Sequence, residues 1–295
     1  MRLGYSINSR QPGNIDPHEA ASSLLTRART ANEAGYDYVQ AGDHHTVGDD
    51  HYFQNVPTLA RMTAVVDRVA PLYLLPLHHP LLVAEHCGTL AAFADEFEFW
   101  CALGYTQSSF EAFDVPMAER VPRFEESLDI LTTFMAGDPV TIDGEFYSLT
   151  DVSASPAAFP SRICIGGGAE PAVRRAGRMG DAWVASPAES AEAMETKIGW
   201  FEDAGGGEVV ARRDALVLED GDRANELATE LLESGYRGWD PEDAENWILV
   251  GDADDVAEAL ASLEALGVDD VTVRPMRNDR AEETLRSVAR AQDLV

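Results

Sequence analysis

Residues 39–45 read VQAGDHH, an acid and two imidazoles side by side where an apolar run gives out. A neutral imidazole can donate to a ring carbonyl or nitrogen, or move a proton near neutral pH. Asp43 could orient a histidine or accept from a ligand N–H. Adjacent side chains of a strand point to opposite faces, so His44 and His45 do not aim at one ligand while the strand lasts. We take His44 as the ligand-facing residue and His45 as support for a loop. The same residues also fit a hydrogen-bonded pair that closes a loop and does no chemistry.

The second stretch is GGGAEP, residues 166–171. Three glycines leaving a strand, with Glu170 and Pro171 opening a helix, leave backbone N–H groups bare and put a helix dipole behind them. That suits a phosphate, with Glu170 adding unwelcome negative charge nearby, and it equally suits a plain flexible turn. Two groups carry metal-ligand chemistry: His44, His45, Asp49, Asp50 and His51, and then His78, His79, Glu85 and His86. Neither shows two histidines at helix-face spacing, nor alternate residues of one strand pointing inward. No metal is expected, and His79–Pro80 reads as the first turn of a helix.

Strand-like and helix-like segments alternate along the chain. Strands are expected at 2–7, 36–42, 69–76, 97–104, 162–167, 181–186, within 209–220 and at 269–275. Between them run helical patterns; the first is capped by Asp16, has Pro17 at its first position and stops at Gly35. VTIDGEFYSL reads as a hairpin turning on Asp143–Gly144 and standing apart from the main sheet. Eight mostly apolar strands covered by helices predict an α/β fold, a (β/α)₈ barrel, with residues 1–295 as one domain. Residues 236–251 read as a long connection over one face. In such barrels chemistry gathers at strand ends: Tyr5 and Ser6, Asp43–His45, Pro71–Tyr73, Gly104–Gln107, Gly166–Gly168 and Arg274.

Composition bounds the partners. The chain has 295 residues, 45% of them hydrophobic, enough for a large core. Fifty-two acids against 22 bases give a net charge of −30, with Lys197 the only lysine. Such a surface repels polyanions, so nucleic acid is excluded as a partner. It suits a halophile, since at 1 M salt screening shortens repulsion to roughly 3 Å. No stretch suits a membrane span or an export signal, so a cytoplasmic location is expected. Cys87, Cys101 and Cys164 are odd in number and sit in apolar runs, as small buried hydrophobes do.

In this order the pieces AGDHH, LYLLPLHHPLLVAEHCGTL, ALGYTQSSFEAFDVPMAERVPRFEESLDIL, GDPVTIDGEFYSL, ICIGGGAEPAVRRAGRMGDAWV and VGDADDVAEALASLEALGVDDVTVRP resemble the luciferase-like monooxygenase family of flavin- and deazaflavin-dependent oxidoreductases. The resemblance implies the same barrel, with FMN or the deazaflavin coenzyme F-420 across its C-terminal mouth. It puts His44 beside the reactive ring edge with Asp43, and the cofactor phosphate on Gly166, Gly167, Gly168 and Ala169. His45, Gly104, Tyr105 and Gln107 become cofactor contacts. A bulge with a non-prolyl cis peptide, which backs the ring in the family, falls at Pro71–Leu72, where Pro71 replaces the usual small residue. Family members often dimerise, so a homodimer is implied.

The Asp43–His44 pair resembles the deazaflavin users and His45 the FMN users. The expected activity is hydride transfer between F-420 or FMN and a small organic substrate, with oxygenation open to FMN alone. Tyr5, Trp239 and Arg274 are the candidate substrate contacts. Two rival functions stand beside it: a flavin-binding carrier or sensor without turnover, and a metal-dependent barrel hydrolase.

Overall fold

The computed structural model describes residues 1–244 and 246–295. Eight parallel strands carry the fold: β1 Arg2–Ser6, β2 Tyr38–Ala41, β3 Arg68–Leu74, β4 Phe99–Ala102, β5 Ile163–Gly166, β6 Ala182–Val184, β7 Glu208–Val217 and β8 Asp270–Pro275. Their hydrogen-bonded order is β6-β5-β4-β3-β2-β1-β8-β7, and β7 also pairs with β6. The order therefore returns to its start, which is the connectivity of a (β/α)₈ barrel and the fold class expected from the alternation. The principal helices are α1 Pro17–Glu33, α2 Asn55–Met62, α3 Pro80–Ala91, α4 Arg120–Met135, α5 Glu170–Met179, α6 Ala191–Asp203, α7 Gly221–Glu233, α8 Ala253–Ala265 and α9 Ala281–Gln292. None of the described helices is long and apolar enough to cross a membrane.

Local chemistry sets the boundaries. Asp16 Oδ1 accepts from the His18 and Glu19 amides at 2.8 and 3.2 Å, capping α1 with Pro17 at its first position. The helix stops where Gly35 turns left-handed, at φ +90°. The hairpin forms as expected, with Val140–Asp143 antiparallel to Ser148–Val152 and outside the main sheet. Its turn is pinned by Glu126, whose carboxylate accepts from the amides of Glu145, Phe146 and Tyr147.

Two segments depart from expectation. Strand three ends at Leu74, because Pro76 allows a 3₁₀ turn over Leu75–Leu77 and not further extension. The connection at 236–251 contains a strand, Ile248–Gly251, parallel to the second half of β7 with Ile248 opposite Asp214.

Compact packing divides the chain into two units. One comprises Met1–Asn8, Ser23–Val39 and Gly166–Val295; the other comprises Ser9–Ser22 and Gln40–Ile165. In the first, Leu216, Leu218, Ala224, Leu227, Ala228 and Met276 form a buried cluster between β7 and α7. In the second, Leu74, Leu77 and Phe110 pack together under Leu72, Ala102, Val115 and Met117. Phe110 is fully buried, so Phe110→Ala is expected to destabilise the fold by about 3–5 kcal/mol. A urea titration measures this, and a midpoint unchanged from wild type would contradict it.

Candidate active site

The second unit holds the Asp43 cluster. After β2, Gly42 lets the chain pass Tyr52, whose hydroxyl lies 2.7 Å from where a Cβ would sit. Asp43 follows and is 1% exposed. Its Oδ2 accepts from the Leu74 amide at 2.8 Å and from His78 Nε2 at 2.7 Å. Its Oδ1 lies 2.9 Å from His45 Nε2. One carboxylate thus ties the end of β2 to the end of β3 and to the 3₁₀ turn that brings His78 back. Burial alone would raise the Asp43 carboxyl; the contacts with His45, His78 and the Leu74 amide outweigh it and hold the group well below the usual carboxylate range.

His44 turns the other way. Its ring meets Tyr52 edge-on at 5.5 Å and Tyr105 at 6.3 Å, while its carbonyl accepts from Gln54 Nε2 at 3.1 Å. The two adjacent histidines therefore serve different partners, although the strand ends at Ala41 and its alternation does not extend to them. Thr46 follows with φ +55°, a strained value for a β-branched residue. The conformation is fixed by hydroxyls: Thr46 Oγ1 donates to the His45 carbonyl at 2.7 Å and lies 2.9 Å from Ser108 Oγ, and Ser109 Oγ donates to the same carbonyl at 3.2 Å.

The bulge and cis peptide expected at Pro71–Leu72 are absent: the one cis bond among the described residues is Ser155–Pro156. Val69 pairs with Phe97 and Leu72 with Trp100, so equal lengths intervene on both sides and no residue is inserted. Pro71 has no N–H to give the Glu98 carbonyl, and the ladder loses one rung there without changing register. The buried Asn55 donates Nδ2–H to the Leu72 carbonyl at 2.6 Å, holding that strand end from outside.

At the end of β4, Gly104 is left-handed at φ +78°, and a Cβ there would press on the Phe110 ring at 3.2 Å. Tyr105 is 77% exposed and stands over His44. Gln107 is drawn away, donating to Glu111 Oε1 at 3.0 Å along its own short helix.

The other unit holds the glycine turn. Gly166 ends β5, and Ala169 is the N-cap of α5 with extended backbone and no side-chain cap. These glycines serve close approach: a Cβ on Gly167 would lie 2.6 Å from Ala172 Cβ, and one on Gly168 would lie 3.2 Å from Glu189 Oε1. Trp183 Nε1–H holds the Gly167 carbonyl at 2.7 Å. Glu170 is neutralised by Arg174 at 2.8 Å. Lys197 lies beside the turn, paired with Glu189 at 2.5 Å.

Of the proposed substrate contacts, Tyr5 is fully buried. Arg274 Nη2 donates to Asp214 Oδ2 at 2.7 Å and to the Tyr236 hydroxyl at 3.1 Å, and Trp239 packs edge-on against Tyr236 and Trp247.

Sequence reasoning placed Asp43, His44 and His45 at a strand end but separated His78 from them. It did not single out Asn55, Tyr52 or Asp214. The signal for His78 was its position just after the third strand, the neighbour of the second in any such barrel.

The profile of the family described as luciferase-like monooxygenase matches residues 1–270. The chain belongs to that family. It is 30% identical over 206 residues to an F420-dependent glucose-6-phosphate dehydrogenase of Beutenbergia cavernae, a match covering 65% of this chain and 58% of that relative's length. Among solved structures, an F420-dependent secondary alcohol dehydrogenase in complex with an F420–acetone adduct superposes with a TM-score of 0.81 at 16% identity, covering 98% of both chains. The oxygenating constituent of 3,6-diketocamphane monooxygenase from Pseudomonas putida, in complex with FMN, gives 0.78 at 18% identity, covering 98% of this chain and 96% of that one. At those identities the structural likeness speaks for the fold.

Proposed function

We propose that this protein is an oxidoreductase that moves hydride between coenzyme F420, or FMN, and a small organic substrate. The observation that carries the reading is His44, an imidazole at the end of β2 with its ring beside the exposed Tyr105. It sits in a chain whose relatives include F420-dependent dehydrogenases. When bound, the cofactor supplies the two-electron chemistry, accepting or giving up the hydride.

The residues present suit such a group. The Gly167 amide already donates to the Val184 carbonyl at 3.4 Å, so a phosphate at Gly166–Ala169, the role we assign to that turn, would rest on the amides that open α5. In the other unit His44 gives or takes the proton that balances the hydride. Asp43 holds His45 and His78 in place, and Gly104 and Tyr105 shape the turn after β4. For Gln107 a cofactor contact requires release from Glu111. F420 is the first choice, because Asp43–His44 resembles the deazaflavin users and the curated relative is F420-dependent. FMN is the second reading, carried by His45 and by the FMN-bound monooxygenase of the same fold.

Titrating purified protein with F420 and with FMN, and following fluorescence, tests the reading. Saturable binding of one cofactor and its reduction or oxidation by a small alcohol or carbonyl compound are expected. Binding of neither would end the proposal.

A further inference from the structure

The Asp43 cluster has the composition of a metal site as well as that of a hydrogen-bond knot. Asp43 offers a carboxylate oxygen and His45 and His78 each a ring nitrogen, and the three ligand atoms all lie within 4.8 Å of one another. We propose that Asp43, His45 and His78 bind a divalent first-row transition ion of the Zn²⁺ or Co²⁺ kind. The proposal stands apart from the cofactor reading and does not depend on it.

Direction is the first argument. His45 Nε2 is buried and makes no directed hydrogen bond, although Asp43 Oδ1 is only 2.9 Å away. A ring nitrogen and a carboxylate oxygen this close but misaligned have lone pairs that can meet at a third point. Ligand bonds of about 2.0–2.2 Å set at right angles or wider put neighbouring ligand atoms about 3 Å or more apart. Asp43 Oδ1 lies 2.9 Å from His45 Nε2 and Asp43 Oδ2 lies 2.7 Å from His78 Nε2, so each carboxylate oxygen faces one imidazole and an entering ion would widen the tighter span.

Preorganisation is the second. The His45 carbonyl is held by the Thr46 and Ser109 hydroxyls, and the His78 carbonyl accepts from the Tyr147 hydroxyl at 3.3 Å. Asp43 Oδ2 carries the Leu74 amide, an outer partner of the sort that orients metal-bound carboxylates. Phe113 lies against both imidazoles, at 4.5 and 6.0 Å between ring centres, giving the pair an apolar wall. The two histidine side chains are 18% and 17% exposed, so the cluster is not sealed in the core.

Donor chemistry is the third. Two imidazoles and one carboxylate favour borderline ions over Ca²⁺ or Mg²⁺, which prefer oxygen shells. Three protein ligands leave a coordination position for water or a substrate oxygen. Loading replaces the Nε2–H proton that His78 otherwise donates to Asp43.

The test uses full-length protein stripped with chelator, titrated with ZnCl₂ by calorimetry and with CoCl₂ by visible absorption. One ion per chain is expected. Affinity should fall about 100-fold or more in His45→Gln and in His78→Gln, beyond the 10–100-fold that loss of an outer partner brings. His44→Gln should leave it unchanged. Circular dichroism checks that each variant is folded. X-ray absorption on the Zn²⁺-loaded wild type stands even if a variant fails to fold, and two imidazole nitrogens are expected there. The proposal is overturned by absence of saturable binding, by binding that survives both substitutions, by loss in His44→Gln, or by fewer than two imidazole nitrogens. F420 and FMN titrations of the same stripped protein decide the cofactor reading separately.

Discussion

His44→Ala is expected to lower turnover by about 10²–10⁴-fold, the usual contribution of a positioned acid–base group, while cofactor affinity changes by less than about threefold. The separation follows from where the ring sits. His44 leans on Tyr52 and Tyr105, whereas the ties between the ends of β2 and β3 run through Asp43 to His45, His78 and the Leu74 amide. Removing the imidazole leaves those ties in place and takes away the proposed proton donor or acceptor together with its ring contacts to Tyr52 and Tyr105. The measurement is single-turnover hydride transfer beside a fluorescence titration of the same cofactor. His44→Gln adds a control, since an amide keeps a hydrogen-bonding head but cannot carry a proton at neutral pH. If both variants turn over at the wild-type rate with cofactor bound, His44 is not the acid–base group and another residue moves the proton; a carrier or sensor is the better account only if the wild type itself binds cofactor and shows no turnover.

The alternation of mostly apolar strands with helices made the architecture legible, and the first helix has a clear start signal at Asp16–Pro17. The glycine turn was legible for the same reason, being a strand end that opens directly into α5. Tertiary juxtaposition was not. His78 lies 35 positions from Asp43, and its meeting with that carboxylate depends on the 3₁₀ turn over Leu75–Leu77, which a run of apolar letters reads as more strand. The two histidine-rich groups looked unsuited to a metal when taken one at a time, yet the structure draws Asp43 and His45 from the first and His78 from the second. At Pro71 the family pattern and the local chemistry disagreed. A proline that only drops a rung from the ladder leaves β3 in register.

Asp43→Ala should be the most destabilising single change in this cluster, at about 3–5 kcal/mol, from two stranded hydrogen-bond donors and the cavity left behind. The carboxylate is 1% exposed and sits among two imidazoles and an amide. Deleting it strands the Leu74 N–H and the His78 Nε2–H, each an unsatisfied donor worth about 1–3 kcal/mol, and leaves a cavity between strand ends. At about 2–4 °C per kcal/mol for a chain of this order, Tm should fall by about 6–20 °C. The scan belongs on chelator-treated protein, so that no bound ion adds its own stabilisation. Asp43→Asn preserves shape and one acceptor, and should recover part of the loss, because its oxygen can serve the Leu74 amide but its NH₂ faces a second donor. A drop in Tm below about 2 °C for the alanine variant would mean that the carboxylate does not tie β2 to β3, and that His45 and His78 owe their positions to Phe113 and their own backbone contacts instead.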